Sequence, residues 1–324
     1  MRDPVEWRSA RLREVRNLTA DIRLFAIEPE GEFVPPTPGS HMDVAVRIGE
    51  RPDVRSYTIV GPCTDGVYRI AVKRLPDSRG GSVGMWRLEP AARMTISQPR
   101  NHFELGRGRP EYLLVAGGIG ITPIYTMALA LAECSANFRL LYAARRRGDL
   151  AFADELRERI GPRLETFVSA EGARIDFEAE IARLLPEGEL YVCGPIPMLE
   201  EAKRRWAQSG RPAERLRFET FGNSGRFASE PFTIRIPRLN REIAVPQNQT
   251  MLEALEAAGV EMIYDCRRGE CGLCALDILE VDGVVDHRDV FFSDEEKALN
   301  QKLCTCVSRV AGASITIDTA DRFG

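Results

Sequence analysis

Residues 112–123 read YLLVAGGIGITP, an apolar run followed by a glycine-rich turn and the start of a helix. This order is typical of a strand that enters a helix in a parallel α/β sheet. The same rhythm returns at FRLLYAA, residues 138–144, and at ELYVCG, residues 189–194. The middle of the chain is therefore predicted to be an α/β domain with a parallel sheet.

The glycine-rich turn is also a candidate nucleotide site. Glycines let the backbone approach a pyrophosphate, and proline suits the first helical turn because its missing N–H costs nothing there. The turn departs from the G-x-G-x-x-G pattern, and Arg145, Arg146 and Arg147 follow the second strand in place of an acidic residue. From this motif alone, a tight turn without a ligand stays open. The candidate residues are Gly117, Gly118, Gly120, Thr122 and Pro123.

The strand at residues 189–194 runs into Cys193, Gly194 and Pro195. Open α/β sheets bind nucleotides at the carboxyl ends of their strands. This run is therefore expected to lie at the same sheet edge as the glycine-rich turn. Taken alone, Cys193 is typical of a buried strand cysteine.

Before residue 100 the chain contains short extended segments separated by glycine and proline. Several short strands at regular spacing predict an antiparallel β-barrel. The segments are VAVRI at 44–48, SYTIV at 56–60, YRIAVKR at 68–74 and MTIS at 94–97.

Three parts of this predicted barrel carry candidate cofactor-binding residues. An arginine, hydroxyl groups and a Gly-Gly-Ser turn can hold a phosphate, and a tyrosine can cover an aromatic ring. An ordinary barrel strand is the alternative for the segment RSYT. The candidates are Arg55, Ser56, Tyr57 and Thr58 in RSYT, Ala71, Val72 and Lys73 in the next strand, and Gly80, Gly81 and Ser82 in the turn.

Five of the eight cysteines lie near the end of the chain, in a small region predicted to be α+β. Cys266-x4-Cys271-x2-Cys274 has the spacing of a plant-type 2Fe-2S loop. Gly269 and Gly272 allow such a loop to curl so that backbone N–H groups face sulfur. Zinc is the alternative, although structural zinc sites usually use two paired cysteine knuckles. The spacing predicts an iron-sulfur loop.

The fourth cluster ligand is ambiguous by spacing, because both Cys304 and Cys306 lie about thirty residues further on. Three runs in this region resemble the ferredoxin domain of the phthalate dioxygenase reductase family. They are DCRRGECGLC at 265–274, DHRD at 286–289 and CVSR at 306–309. The resemblance implies a β-grasp ferredoxin domain with Cys306 as the fourth ligand. A longer connecting segment around Glu280 to Val285 and the competing thiol of Cys304 are departures from that pattern.

The barrel and the α/β domain also resemble the ferredoxin reductase superfamily, to which that family belongs. The segment RSYT is similar to its flavin motif, R-x-Y-S/T. The resemblance implies that Arg55 and Ser82 contact the flavin phosphate, that Tyr57 packs on the isoalloxazine, and that Thr58 lies near the reactive nitrogen. It places the C-G-P run near the nicotinamide. Thr58 and Cys193 are the candidate catalytic residues.

The matching runs follow one domain order along nearly the whole chain. The prediction is a flavin-binding β-barrel at 1–107, an NAD(P)-binding α/β domain at 108–224, a linker at 225–231 and a 2Fe-2S ferredoxin domain at 232–324. The resemblance implies a reductase that passes electrons from NADH through FMN and the cluster to a terminal, Rieske-type oxygenase of aromatic catabolism. The alternatives are a diiron or cytochrome oxygenase as acceptor, or a flavin reductase with a zinc-stabilised interaction module.

FMN is preferred to FAD because the barrel shows no dedicated adenine site. NADH is preferred by the resemblance, whereas an arginine run after the second strand would suit the 2′-phosphate of NADPH. Arg145 is the candidate contact for the adenosine end of the nucleotide. We predict that the chain prefers NADH.

Charge and hydropathy limit the remaining functions. With 44 Lys and Arg against 48 Asp and Glu, the formal charge is −4 and predicts no attraction to nucleic acid or anionic lipid. Residues 112–132 are uncharged, but their glycines and proline argue against a membrane span. The N-terminus lacks the apolar core of a secretory signal. We expect a cytoplasmic monomer whose partner is the oxygenase.

Overall fold

The structure is a computed structural model that forms two compact units, Met1–Glu219 and Thr220–Gly324. It describes residues 5–48, 51–75, 80–221, 227, 229–267 and 269–318. Within these residues, no helix has the length and apolar character needed to cross a membrane.

The first sheet of the N-terminal unit is an antiparallel barrel with the strand order β4-β3-β6-β1-β2-β5. Its strands are β1 (Trp7–Asn17), β2 (Ile22–Pro29), β3 (His41–Ile48), β4 (Arg51–Thr58), β5 (Tyr68–Lys73) and β6 (Arg93–Ser97), and helix α1 is Gly81–Trp86. Ile59, directly after β4, bridges to Ile70 of β5. The two edge strands therefore meet, and the barrel is nearly closed, as predicted.

The second sheet of this unit is parallel throughout, with the order β11-β10-β7-β8-β9. The strands are β7 (Tyr112–Gly117), β8 (Phe138–Ala144), β9 (Leu164–Val168), β10 (Glu189–Cys193) and β11 (Leu216–Glu219). The helices are α2 (Ile121–Glu133), α3 (Ala153–Ile160), α4 (Phe177–Arg183) and α5 (Ile196–Gln208). Strand β7 lies between β8 and β10, so the carboxyl ends of these three strands form the crevice where such sheets bind ligands.

The barrel packs directly on the parallel sheet. Leu24, Val60 and Ala71 of the barrel share one buried apolar cluster with Ile121 and Tyr125 of α2. Strand β5 also contacts the short turn between β7 and α2. The candidate cofactor residues of strand β5 and the predicted nucleotide turn are therefore neighbours.

The C-terminal unit is a mixed five-stranded sheet with the order β13-β12-β16-β14-β15, in which only the β12–β16 pair is parallel. Its elements are β12 (Phe232–Ile236), β13 (Arg241–Val245), α6 (Met251–Ala257), β14 (Ala275–Asp286), α7 (Asp294–Leu299), β15 (Lys302–Cys304) and β16 (Arg309–Asp318). This α+β arrangement confirms the predicted ferredoxin fold.

The longer segment around Glu280 to Val285, predicted as a connection, is part of strand β14. It pairs with β16 through two register irregularities, at Ile278/Glu280 and Asp282/Gly283. The additional residues therefore lengthen the ladder between β14 and β16.

The predicted domain bounds stay a prediction at residue precision. The boundary at 107/108 falls within the N-terminal unit, between β6 and β7. Of the predicted linker, residues 225, 226 and 228 lie outside the described part of the chain.

Candidate functional site

The candidate metal centre is built from the loop between α6 and β14 and from the turn between β15 and β16. The loop curls through left-handed backbone at Gly269 and Gly272, with φ of 76° and 72°. A Cβ on Gly269 would lie 2.6 Å from Val307, and one on Gly272 would overlap the ring of Phe291. Both positions therefore require glycine for conformation and for space.

The contacts among the thiols distinguish the two candidate fourth ligands. The thiol of Cys306 makes hydrogen-bonding contact with both Cys266 and Cys274, whereas Cys304 contacts Cys274. Cys271 contacts Cys266. The structure thus brings the four predicted ligands together, and Cys306 joins the two ends of the loop.

One of these thiols, Cys274, is held in the form that binds metal, whereas the pKa of Cys271, Cys304 and Cys306 is raised by burial and by the neighbouring thiols. Hydrogen bonds from Cys304 and Cys306 lower the pKa of Cys274 to about 3, which makes a thiolate available. The backbone N–H of Glu270 points at the Cys266 sulfur at 3.4 Å, as a loop that stabilises anionic sulfur requires.

The thiol contacts are compatible with the predicted cluster. A 2Fe-2S cluster spreads its cysteines over two irons. The contacts of Cys271 with Cys266 and of Cys306 with Cys274 match that distribution.

A phosphate cradle lies at the start of α1. Within the described residues, Arg55 Nη2 is buried without a hydrogen-bond partner, although Nη1 is bound to Asp53 at 2.7 Å and to the Val54 carbonyl at 2.8 Å. A Cβ on Gly81 would lie 2.7 Å from Arg55 Nε. The guanidinium thus rests against the Gly-Gly-Ser turn with one donor unused, which fits an anionic ligand.

The other predicted residues of RSYT divide between two faces. Strand alternation places Arg55 and Tyr57 on one side of β4 and Ser56 and Thr58 on the other. Burial raises the pKa of the Tyr57 phenol, which keeps it neutral. Thr58 is buried and Ser56 is exposed, so Ser56 does not join the surface that Arg55 forms.

The remaining predicted residues of the barrel lie in strand β5 and in the Gly-Gly-Ser turn. Ala71 and Val72 are buried and Lys73 is partly exposed, with its ammonium 3.4 Å from Asp21. The hydroxyl of Ser82 accepts the N–H of Leu75 at 3.2 Å. Gly80 is the left-handed residue before α1, with φ of 96°.

The two predicted nucleotide runs meet at the carboxyl edge of the parallel sheet. A Cβ on Gly120 would overlap the Cys193 carbonyl, and one on Gly117 would lie 2.6 Å from Pro195. A Cβ on Gly194 would lie 3.1 Å from the Gly117 Cα. The glycines therefore let the β7 turn and the β10 end touch through their backbones, with Cys193 fully buried beneath.

The open side of this turn is at Gly118. Its φ is 54°, and a Cβ there would meet no atom within 4 Å. The hydroxyl of Thr122 donates to the Ile119 carbonyl at 3.0 Å, and Pro123 is buried in the first turn of α2. Backbone faces open space at Gly118, as a pyrophosphate site requires, while Thr122 and Pro123 shape the turn from inside.

The arginines after β8 are exposed, and two of them are engaged by carboxylates. Arg146 is paired with Asp149 at 3.3 Å, and Arg147 with Glu171 at 2.5 Å. Arg145 is exposed at the carboxyl end of the strand. The carboxylate of Asp149 also accepts the Arg146 N–H at 3.2 Å, so an acidic residue does follow the second strand.

The segment FETFG at 218–222 resembles the flavin-facing end of the superfamily's nucleotide domain, but Glu219 within it was not among the candidate site residues. It is the last residue of β11, is 5% exposed and lies opposite Cys193 in the parallel register. The signal for it was the resemblance of that segment, because strand β11 itself was not predicted.

The chain matches two known domain families. Residues 114–204 match an oxidoreductase NAD-binding domain, and residues 234–311 match a 2Fe-2S iron-sulfur cluster binding domain. A solved structure of phthalate dioxygenase reductase superposes with a TM-score of 0.74 at 30% identity, covering 96% of this chain and 98% of that one. The chain belongs to the phthalate dioxygenase reductase family.

Other members of this family serve different oxygenation systems. The carnitine monooxygenase reductase subunit of Escherichia coli is 33% identical and covers 94% of this chain and 96% of its own length. The beta subunit of a heme-dependent oxidative N-demethylase of Ectopseudomonas mendocina is 34% identical, with coverages of 95% and 97%. As a phthalate dioxygenase reductase relative, the chain is an NAD(P)H-dependent iron-sulfur oxidoreductase, and the predicted cofactors FMN, 2Fe-2S and NADH agree with this family.

Proposed function

We propose that the chain is the reductase component of a multicomponent oxygenase and supplies single electrons to its terminal oxygenase. The observation that carries the proposal is the Cys306 thiol, which joins the two ends of a plant-type cysteine loop in the same chain as a flavin and nucleotide unit. When bound, FMN accepts two electrons from NADH and releases them one at a time to the cluster.

Each candidate side chain has its own proposed role in binding the flavin or the nucleotide. Tyr57 would cover the flavin ring, and Arg55 with Ser82 would hold its phosphate. Ala71, Val72 and Lys73 would line the ring edge, beside the turn of Gly117, Gly118 and Gly120. Thr58 and Cys193, both buried, would be the residues nearest the reacting atoms. The contact of β5 with the glycine turn and the placement of Cys193 at that turn support these roles.

FMN is favoured over FAD by the surroundings of Trp86. This ring lies at the end of α1, the helix whose start carries the phosphate cradle. The guanidinium carbons of Arg23 and Arg74 lie 4.4 and 4.7 Å from its centroid, and its Nε1 donates to Val72. Since cations already cover the ring, it is not available to stack on an adenine.

Replacing Arg55 with glutamine is expected to weaken FMN binding about ten- to hundredfold, because a hydrogen bond to a charged group is worth about 1.5–3 kcal/mol. Titration of the apoprotein with FMN, followed by flavin fluorescence, measures the change. Arg13→Gln is the matched control, since Arg13 lies exposed on β1 and pairs with Glu28 at 3.5 Å. Equal affinities of the two variants would remove Arg55 from the phosphate site.

NADH is favoured over NADPH by the ion pairs after β8. Arg146 and Arg147 are already bound to Asp149 and Glu171, so neither offers a free guanidinium to a 2′-phosphate. The negative charge of Asp149 would also repel that phosphate. Arg145 is proposed to contact the adenosine end.

Replacing Arg146 with alanine is therefore expected to change kcat/KM for NADH by less than about fivefold, because an exposed ion pair is worth about 0–1 kcal/mol. Steady-state kinetics with both nucleotides checks this. A preference for NADPH of about tenfold that collapses in the variant would show that Arg146 binds a phosphate.

The visible spectrum of the purified protein tests the proposed function. Flavin peaks accompanied by broad sulfur-to-iron bands, together with NADH-driven reduction of cytochrome c, would support it. Flavin peaks with zinc and no iron would instead support a flavin reductase with a structural C-terminal module.

The acceptor is proposed to be a Rieske-type oxygenase, as the family resemblance implies. A heme oxygenase is the second candidate, because the N-demethylase relative belongs to a heme-dependent system.

We also propose a cytoplasmic monomer that binds neither membrane nor nucleic acid, which the balanced charge supports. The domain bounds at 107/108 and 225–231 belong to the same proposal.

A further inference from the structure

A buried carboxylate lies between the two segments that carry the cysteines. Asp289, beyond the end of β14, is 1% exposed. Its Oδ2 accepts the N–H of Phe292 at 3.0 Å, and its Oδ1 accepts the hydroxyl of Ser308 at 3.2 Å. Because Ser308 follows Cys306 by two positions, one hydroxyl connects the carboxylate to the turn that carries the fourth ligand.

The same residue contacts the cysteine loop. The N–H of Val290 donates to the Gly269 carbonyl at 3.0 Å. A Cβ on Gly269 would lie 2.9 Å from the Asp289 Cα. Asp289 therefore touches both the loop and the turn that carry the predicted ligands, as groups that tune a metal centre from outside its ligands do.

The carboxylate is ionised at neutral pH. Burial raises the pKa of Asp289, but the His287 imidazole 3.7 Å from Oδ1, the hydrogen bond from the Phe292 N–H and the charge of Lys297 lower it by more, so the net pKa is below its usual range. Lys297 Nζ donates to the Asp289 carbonyl at 2.6 Å and lies 3.9 Å from Oδ2.

We propose that Asp289 is a positioning residue whose fixed negative charge lowers the reduction potential of the cluster, and that Lys297 opposes it. The proposal rests on the 2Fe-2S site of the proposed function. Reduction adds an electron to an anionic cluster, so a neighbouring negative charge makes it less favourable. Burial keeps solvent ions from screening that charge.

The test is a redox titration of the holoprotein with Asp289→Asn, followed by the iron-sulfur absorbance and by electron paramagnetic resonance. Asparagine has nearly the same shape, its oxygen can accept from Phe292, and its amide can donate to the Ser308 oxygen. We expect the equilibrium constant for reduction to rise about tenfold, which is about 59 mV for one electron. Asp294→Asn is the matched control, because Asp294 is exposed on α7 and solvent screens its charge.

Lys297→Gln supplies the opposite change, and the potential is expected to fall. A purely structural role would move neither potential in a fixed direction. The proposal is overturned if Asp289→Asn shifts the potential no more than Asp294→Asn, or if Lys297→Gln raises it. If Asp289→Asn does not assemble the cluster, Lys297→Gln decides alone: a lower potential supports the proposal and an unchanged one overturns it. A wild-type protein without iron would refute the proposed function instead.

Discussion

Replacing Cys271 with serine is expected to abolish NADH-driven reduction of cytochrome c while NADH still reduces the flavin at its normal rate. Cys271 is a predicted cluster ligand on the C-terminal unit, whereas the flavin and nucleotide residues belong to the N-terminal unit. Loss of a thiolate removes a ligand that hydroxyl replaces poorly on iron. Stopped-flow absorbance separates the two steps, because flavin bleaching and cytochrome reduction are read at different wavelengths.

The matched control is Cys134→Ser, which changes an exposed thiol at the end of α2. That variant should reduce cytochrome c as the wild type does. Unchanged cytochrome reduction in Cys271→Ser would mean that the flavin passes electrons out without the cluster, and would contradict the proposed electron path.

The second large effect concerns the fourth ligand. Cys306→Ser is expected to lose the cluster, and Cys304→Ser to keep it, because only the Cys306 thiol contacts both Cys266 and Cys274. Iron and acid-labile sulfide per chain provide the measurement. Both thiols are almost fully buried, at 0% and 3% exposed for Cys304 and Cys306, so the pair is matched for burial.

Cys304→Ala serves as a second variant, since a buried serine hydroxyl without a partner costs about 1–3 kcal/mol and can destabilise the unit. Loss of iron from both Cys304 variants, with iron retained in Cys306→Ser, would move the ligand to Cys304. The resemblance favoured Cys306 at the outset, and the thiol contacts give an independent reason.

Local patterns carried most of the fold prediction. The alternation of apolar strand and helix in the middle of the chain predicted the parallel sheet, because each period is set by neighbouring residues. Strand β1 was not predicted, because its local alternation of buried and exposed residues is weak. Its burial alternates only at Ala10 and Leu12, and charged residues occupy most of its outer positions.

By itself, the sequence determined the domain order and the iron-sulfur loop, since the spacing of Cys266, Cys271 and Cys274 and the glycines between them constrain the chain over a few residues. Only the tertiary structure decided which distant groups meet these motifs. Packing set the contacts of Cys306, left a donor of Arg55 unused beside Gly81, and paired Arg147 with Glu171. The physical reason is that long-range proximity depends on how strands and turns pack together, which local spacing does not specify.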